Sequence, residues 1–191
     1  KNEKSYVDIT TILDEHSDEI FREYYRCEAN NNDAFVLFDI HKKLLNRGVF
    51  AENYVYQEFE WLNSFCRKKD INQYLTMNRK GRKIPFLEDD RECILEGIAG
   101  WQKKMEAVGV TDISRITHRV LDFEDQILPT YDHILVDEVQ DFGTLEMTIL
   151  KKLSKNGPND LFLVGDVAQT VLPKFLSLKN AGINVLPGSH F

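Results

Sequence analysis

The chain has no stretch matching G-x-x-x-x-G-K-[S/T], no Cys-x-x-Cys pair, and no apolar run approaching the roughly 20 residues that span a bilayer. The first absence removes from these 191 residues the glycine-rich nest whose backbone N–H groups and lysine hold β- and γ-phosphates. The second removes a zinc cage or dithiol couple: Cys27, Cys66 and Cys93 are odd in number and widely spaced, as expected of reduced thiols in a cytoplasmic protein. The third leaves no membrane-spanning helix, and the polar start Lys1-Asn-Glu-Lys4 lacks the apolar centre of a secretory signal. The missing initiator Met is the expectation for an excised piece. Positive charge is also in short supply: 24 Lys and Arg stand against 31 Asp and Glu, a net charge of −7. That balance excludes wrapping long duplex by bulk electrostatics, since phosphate contacts need cations. A narrow single-strand path needs only local positive charge.

What is present is ordinary globular material, 42% hydrophobic and 29% charged, enough for one large domain or one and a half smaller ones. Roughly residues 1–125 read as helices. Apolar residues at i, i+3, i+4 predict a helix over Asp18 to Cys27, and another over Asp33 to Arg47 with Asp33 as N-cap and Gly48 as the stop. A third is expected over Asn53 to Lys69, its terminal Arg67-Lys-Lys69 suiting the negative end of the helix dipole. Ile71 to Met77, Glu88 to Val108 and Asp112 to Leu121 follow, the last capped by Thr111 or Asp112. The period then changes. Strand, helix, strand, helix and strand are read at His133 to Asp137, Thr144 to Ser154, Leu161 to Gly165, Lys174 to Asn180 and Ile183 to Leu186, with Gly157-Pro158-Asn159 as punctuation. Such alternation implies an α/β fold with parallel strands and right-handed crossovers.

Two apolar runs in this second part end on chemistry. Tyr131-Asp-His-Ile-Leu-Val-Asp-Glu-Val-Gln-Asp141 ends on adjacent carboxylates, and Leu161-Phe-Leu-Val-Gly-Asp166 ends likewise, followed by Val-Ala-Gln169. In an open parallel sheet ligands sit at the carboxyl ends of strands, so Asp137, Glu138 and Asp166 would line one crevice. Magnesium takes hard carboxylate oxygens and keeps several waters, and a neighbouring carboxylate can orient or deprotonate a water. Asp137 suits the metal and Glu138 the base. The same residues also fit a plain strand end before a polar turn, and Gln140 and Asp141 also fit surface residues capping the helix that starts near Gly143. His133 suits a polar residue opening its strand.

Val136-Asp-Glu-Val-Gln-Asp141 resembles the DExQD form of the Walker B motif in UvrD/Rep-type superfamily 1 helicases, and Val164-Gly-Asp-Val-Ala-Gln169 resembles their next motif, VGDxxQ. Tyr56-Gln-Glu-Phe-Glu-Trp61, Gln73-Tyr-Leu75, the loop from Arg79 to Lys83, the long helix with Trp101, and Gly109-Val-Thr-Asp112 are similar to the helical 1B insertion of that family. The resemblance covers most of residues 55–170. It implies a partial RecA-like P-loop NTPase sheet, the 1A motor domain, over residues 126–191, with a helical 1B-like region over 1–125. It implies ATP and Mg²⁺ as cofactors, Asp137 as the metal ligand, and Glu138 and Gln169 as catalytic residues, Gln169 sensing the γ-phosphate. Gln140, Asp141 and Asp166 would be nucleotide-binding residues. The partners implied are single-stranded or partly duplex DNA and the remaining helicase domains of the same polypeptide, in repair or recombination.

The cluster Arg79, Lys80, Arg82 and Lys83 around Gly81 is the candidate phosphate contact, although such runs are usually solvated loops. Trp61 and Trp101 lie on apolar helix faces and are expected in the core. Two departures stand out. After the VGDxxQ glutamine the family carries a Tyr and a Trp-Arg pair for single-stranded DNA, where this chain has Thr170-Val-Leu-Pro-Lys-Phe175, with Phe175 as the candidate substitute. The phosphate cradle is missing, and Leu186-Pro-Gly-Ser-His-Phe191 resembles the lead into motif IV. By the family pattern this is an internal fragment of a larger motor, inert alone. Two other functions fit the same residues: a catalytically inactive helicase-like interaction module, and a different P-loop ATPase with a similar Walker B strand.

Overall fold

The computed structural model describes residues 10–11, 14–32, 34–157 and 159–184. Where the sequence suggests one boundary near residue 125, the compact units interleave. Lys1–Tyr56 joins Lys80–Ile116, and Gln57–Arg79 joins Thr117–Phe191. The protein is mixed α/β, mostly helical, with two small parallel sheets among the described residues.

The first unit holds β1 (Thr10–Thr11), α1 (Asp14–Asn31), α2 (Phe38–Leu45), the opening turns of α3 (Ala51–Asn63), α4 (Glu88–Ala107), β2 (Val110–Thr111) and the start of α5 (Ile113–Asp122). The pairing of β1 with β2 is not foreseen in the sequence. On α1, Phe21 and Tyr25 are fully buried. Trp101 of α4 meets Phe21 edge-on at 5.2 Å and Tyr24 at the same centroid distance, in line with the expected core role. Helix α2 is shorter than predicted at its start, because Asn32 builds a turn instead. Its carbonyl accepts the Phe35 N–H at 2.9 Å and its side chain the Ala34 N–H at 3.0 Å. The predicted cap Asp33 lies outside the described residues. The stop at Gly48 is as expected: at φ +70° it lets Val49 N–H reach Leu44 O and Gly48 N–H reach Leu45 O, a Schellman end. Helix α4 opens on Glu88, Asp89 and Asp90, with the Asp90 carboxylate accepting the Leu87 N–H at 2.8 Å. Asp112 caps α5 by accepting the Arg115 N–H at 2.7 Å.

The second unit carries β3 (Ile134–Val136), α6 (Thr144–Leu153) and β4 (Leu161–Leu163), the strand–helix–strand unit expected from the change of period. The strands are parallel, with Val136 opposite Leu163. Val136, Val139, Met147, Ala181 and Ile183 form the core on one face of this pair. The opposite face is open: Leu135 is 75% exposed and Phe162 62%. The return from α6 to β4 turns through Asn156 and Asn159, both left-handed, a conformation Asn tolerates better than most residues.

Three segments differ from the helices their sequence predicts. Helix α3 stops at Asn63, so Arg67 does not serve its C-terminus but forms a two-point ion pair with Glu124 at 2.5 and 2.8 Å. Over Lys68–Leu75 the chain is a 3₁₀ helix rather than an α-helix over Ile71 to Met77. Lys174 to Asn180 is not helical, because other partners take its backbone groups. Phe175 O accepts from the Thr144 N–H and hydroxyl, Phe175 N–H reaches Ser64 Oγ at 2.8 Å, and Ser177 N–H reaches Thr144 Oγ1 at 2.9 Å. Of the last predicted strand, Ile183 and Asn184 are irregular, and residues 185 and 186 lie outside the described residues, as do Pro158 and the segment resembling the motif IV lead. Among the described residues no helix is long and apolar enough to cross a membrane.

Hydrogen bonds from Arg67 and Lys152 hold the Glu124 carboxyl down at about 2, from an ordinary 4.5. A depressed folded-state value contributes stability that is present above the unfolded value and lost as pH falls through the folded one. Denaturation midpoints of the wild-type chain should therefore drop more steeply between about pH 4.5 and pH 2 than those of Glu124→Gln. Superimposable acid limbs would show that the pair contributes nothing.

Candidate active site

Beyond the last paired residues, the two strand ends stay locked together. Val164 N–H donates to Val136 O at 2.9 Å, and Val164 O accepts the Val139 N–H at 2.9 Å, so one residue of the second motif is held by both sides of the first. Asp137 and Glu138 therefore emerge beside Gly165 and Asp166, at the carboxyl ends of both strands. Both acids are exposed.

Glu138 turns the chain with φ 51° and ψ 45°, the left-handed region that non-glycine residues rarely occupy. Asp137 Oδ1 accepts the Glu138 N–H at 2.9 Å across this turn, leaving its second oxygen uninvolved in that bond. A short 3₁₀ turn, Val139–Asp141, follows, with Val139 and Gln140 buried. Gln140 Nε2 donates to Glu138 Oε2, and Gln140 Oε1 accepts the Asp166 N–H at 3.0 Å. One amide thus spans the two motifs. Gly165 packs tightly beside it: a Cβ there would stand 2.3 Å from Gln140 Oε1, 2.7 Å from Val139 Cγ1 and 3.0 Å from the Val139 backbone nitrogen, so the Gln140 side chain would have to shift.

The second strand end is a self-contained loop. Asp166 Oδ1 accepts the Ala168 N–H at 2.9 Å and its Oδ2 accepts from Gln169 Nε2 at 3.0 Å. These bonds, the backbone one foremost, hold the Asp166 carboxyl below the ordinary aspartate value. Gln169, exposed, ends the 3₁₀ turn Val167–Gln169. Asp141 is half-buried, and the α6 cap is supplied by Glu146, whose carboxylate accepts the Gly143 N–H at 2.6 Å. His133 sits exposed before its strand, its Nδ1 bonded to Asn159 O at 3.1 Å.

The basic cluster does not act as four solvated cations. Arg79 is buried and belongs to the second unit, where Nε and Nη2 meet Glu58 Oε1 and Oε2 at 2.6 and 2.7 Å, and Tyr74 OH joins Glu58 Oε1 at 2.7 Å. Arg79 is therefore not placed as a phosphate contact; the charge it answers is inside the protein. The signal was Glu58, a carboxylate one residue before Phe59 and four before Leu62 on the buried face of α3. In the first unit, Lys80 and Lys83 are exposed. Arg82 is half-buried, donating to Tyr54 O at 2.9 Å with its guanidinium over the Tyr54 ring. Phe175 is half-buried against Phe65, centroids 5.1 Å apart, and near Trp61, which is itself buried.

Residues 7–173 match the family described as UvrD/REP helicase N-terminal domain. The chain belongs to that family. This UvrD/REP-type chain is 28% identical over 144 residues to an ATP-dependent helicase/nuclease subunit of Lactobacillus gasseri, a match covering 75% of the chain and 12% of that protein. It is 36% identical over 119 residues to the protein of the same name from Natranaerobius thermophilus, covering 54% and 9%. With the Carboxydothermus hydrogenoformans protein of that name the identity is 37% over 91 residues, covering 45% and 8%. The chain thus spans a small part of the curated relatives it matches. No solved structure matches it.

Removing one partner of a buried ion pair leaves an uncompensated charge, so Arg79→Ala should cost about 3–5 kcal/mol of stability. Lys80→Ala and Lys83→Ala should each stay within about 0.5 kcal/mol. Urea unfolding of the three variants separates these cases, and equal midpoints would mean that Glu58 is relieved some other way.

Proposed function

We propose that these residues are the hydrolytic half of an ATP-dependent DNA helicase or translocase motor, with the two strand ends forming part of a RecA-like 1A domain and the helical region acting as its 1B insertion. The observation that carries this is the pairing of Val136 with Leu163, which brings Asp137 and Glu138 to the same sheet edge as Asp166 and Gln169. Family membership supports the helicase class.

The donor set suits magnesium. Among the described residues no three or more His, Cys, Asp or Glu side chains converge as a protein cage. Magnesium keeps most of its waters and takes one or two carboxylates plus substrate phosphates, and the exposed Asp137 is such a carboxylate. Bound there with a nucleotide, the ion would neutralise phosphate charge. Glu138, also exposed, orients or deprotonates the attacking water. Gln169, held to Asp166 at 3.0 Å, carries an amide able to exchange that carboxylate for a phosphate oxygen. Catalysis of this kind is mostly positioning and charge stabilisation, so the phosphate cradle absent from these 191 residues is needed for turnover. On the nucleic-acid side, single-stranded or partly duplex DNA would meet Lys80, Arg82 and Lys83 rather than Arg79.

In the full-length protein, Glu138→Gln should keep Mg-ATP binding while kcat falls by about two orders of magnitude or more, with little change in KM. Asp137→Ala should weaken metal-dependent binding as well. DNA-stimulated turnover of the Glu138→Gln protein at the wild-type rate would remove this strand end from the chemistry. For the DNA arm, Lys80→Ala with Lys83→Ala should flatten the slope of log K against log salt by about one to two, as fewer counterions are released. An unchanged slope would make both lysines plain solvated residues.

A further inference from the structure

Gln140 is buried, yet both ends of its amide are used within the site, one on the Glu138 carboxylate and the other on the Asp166 backbone. The orientation of that amide follows from its partners. The Asp166 N–H can only donate, so the carbonyl end must face it, and the NH₂ end is left to face a carboxylate that can only accept. No flipped arrangement satisfies both contacts.

The surroundings are built around this bridge. Gly165 has no room for a Cβ against Gln140 Oε1, and Val139, packed in the core, fixes the backbone just before it. Glu138 is left-handed, a conformation that L side chains avoid, and the donor from Gln140 is the side-chain bond that steadies its carboxylate there. The loop on the other side runs from Asp166 to Gln169 through bonds of its own.

We propose that Gln140 is a positioning residue rather than a nucleotide ligand. It sets the Glu138 carboxylate and ties it to the Asp166–Gln169 loop, so that a shift of that loop on phosphate binding moves the water-orienting group. This rests on the assignment of Glu138 as that group. The side-chain part of the coupling travels through Gln140 and its two bonds, beside the backbone bonds of Val164, and losing both bonds has a different signature from losing the donor alone.

Two substitutions separate the halves. Gln140→Met keeps the length and loses both bonds, whereas Gln140→Glu keeps an acceptor for the Asp166 N–H and replaces the donor toward Glu138 with a second negative charge. In the 191-residue chain, amide exchange followed by NMR should show Asp166 exchanging at least about tenfold faster in Gln140→Met and remaining protected in Gln140→Glu, with circular dichroism unchanged in both. In the full-length protein both variants should lose kcat by at least about tenfold, with KM for ATP moving less than about threefold. Added to Glu138→Gln, neither should cost a comparable further loss, because the two residues act as one unit. Wild-type exchange at Asp166 in Gln140→Met would overturn the bridge. Faster exchange with undiminished kcat would overturn the positioning role. Should Glu138→Gln itself turn over normally, the hydrolytic assignment falls and the positioning role with it, while the exchange measurement still decides whether the bridge exists.

Discussion

The pair of backbone hydrogen bonds made by Val164, its N–H to Val136 O and the Val139 N–H to its carbonyl oxygen, is the constraint on which the site depends. Strand pairing alone would bring the two motifs to a common edge, but a strand of three residues frays at its end. Because Val164 is gripped from both sides of the turn at Asp137 and Glu138, the turn cannot open without breaking the ladder. Each such bond is worth only about 0.5–1.5 kcal/mol net, so their strength lies in acting on the same residue from both sides. The core of Val136, Val139 and Met147 packs against these strand ends and makes the arrangement stiff.

Charge in this protein is divided by burial rather than by sequence position. Lys80 and Lys83 face solvent, while Arg79, one residue earlier, answers Glu58 inside the second unit. A buried carboxylate with a two-point guanidinium and a tyrosine hydroxyl has its lone pairs met, which is what lets such a group stay charged away from water. The cost of burying both ions offsets much of their attraction, so the trio fixes where the Lys68–Leu75 segment must lie more than it adds to overall stability.

The sequence revealed the α/β change of period, the paired strands and α6, because two apolar runs that end on polar residues flank a helix-length segment. Helix α4 and the cap at Asp112 were equally plain, since acidic openings and glycine stops are local signals. The supposed helix over Lys174 to Asn180 was not, because its fate is decided by Thr144 and Ser64, residues far away in the chain that accept and donate to its backbone. Arg79 misled for the same reason: a run of cations says nothing about a carboxylate 21 residues earlier. In the site, residue types marked Asp137, Glu138, Asp166 and Gln169 as a group, but nothing in one dimension could say that Gln140 points back into the protein.

The left-handed backbone of Glu138 has a consequence for how this position tolerates change. On the proposed role of Glu138, two demands meet at one residue, a carboxylate for the chemistry and a conformation that most side chains resist. Glycine or asparagine would satisfy the backbone and lose the carboxylate, so on that proposal such chains would be well folded and silent. Valine or isoleucine would fail on both counts, since a branched Cβ suits this region worst. Aspartate keeps the charge and tolerates the turn, yet its shorter reach pulls the carboxylate away from Gln140. In a saturation library, abundance and turnover would therefore rank the substitutions at residue 138 in different orders, and the gap between the rankings would measure what the fold gives up to hold an acid in that turn.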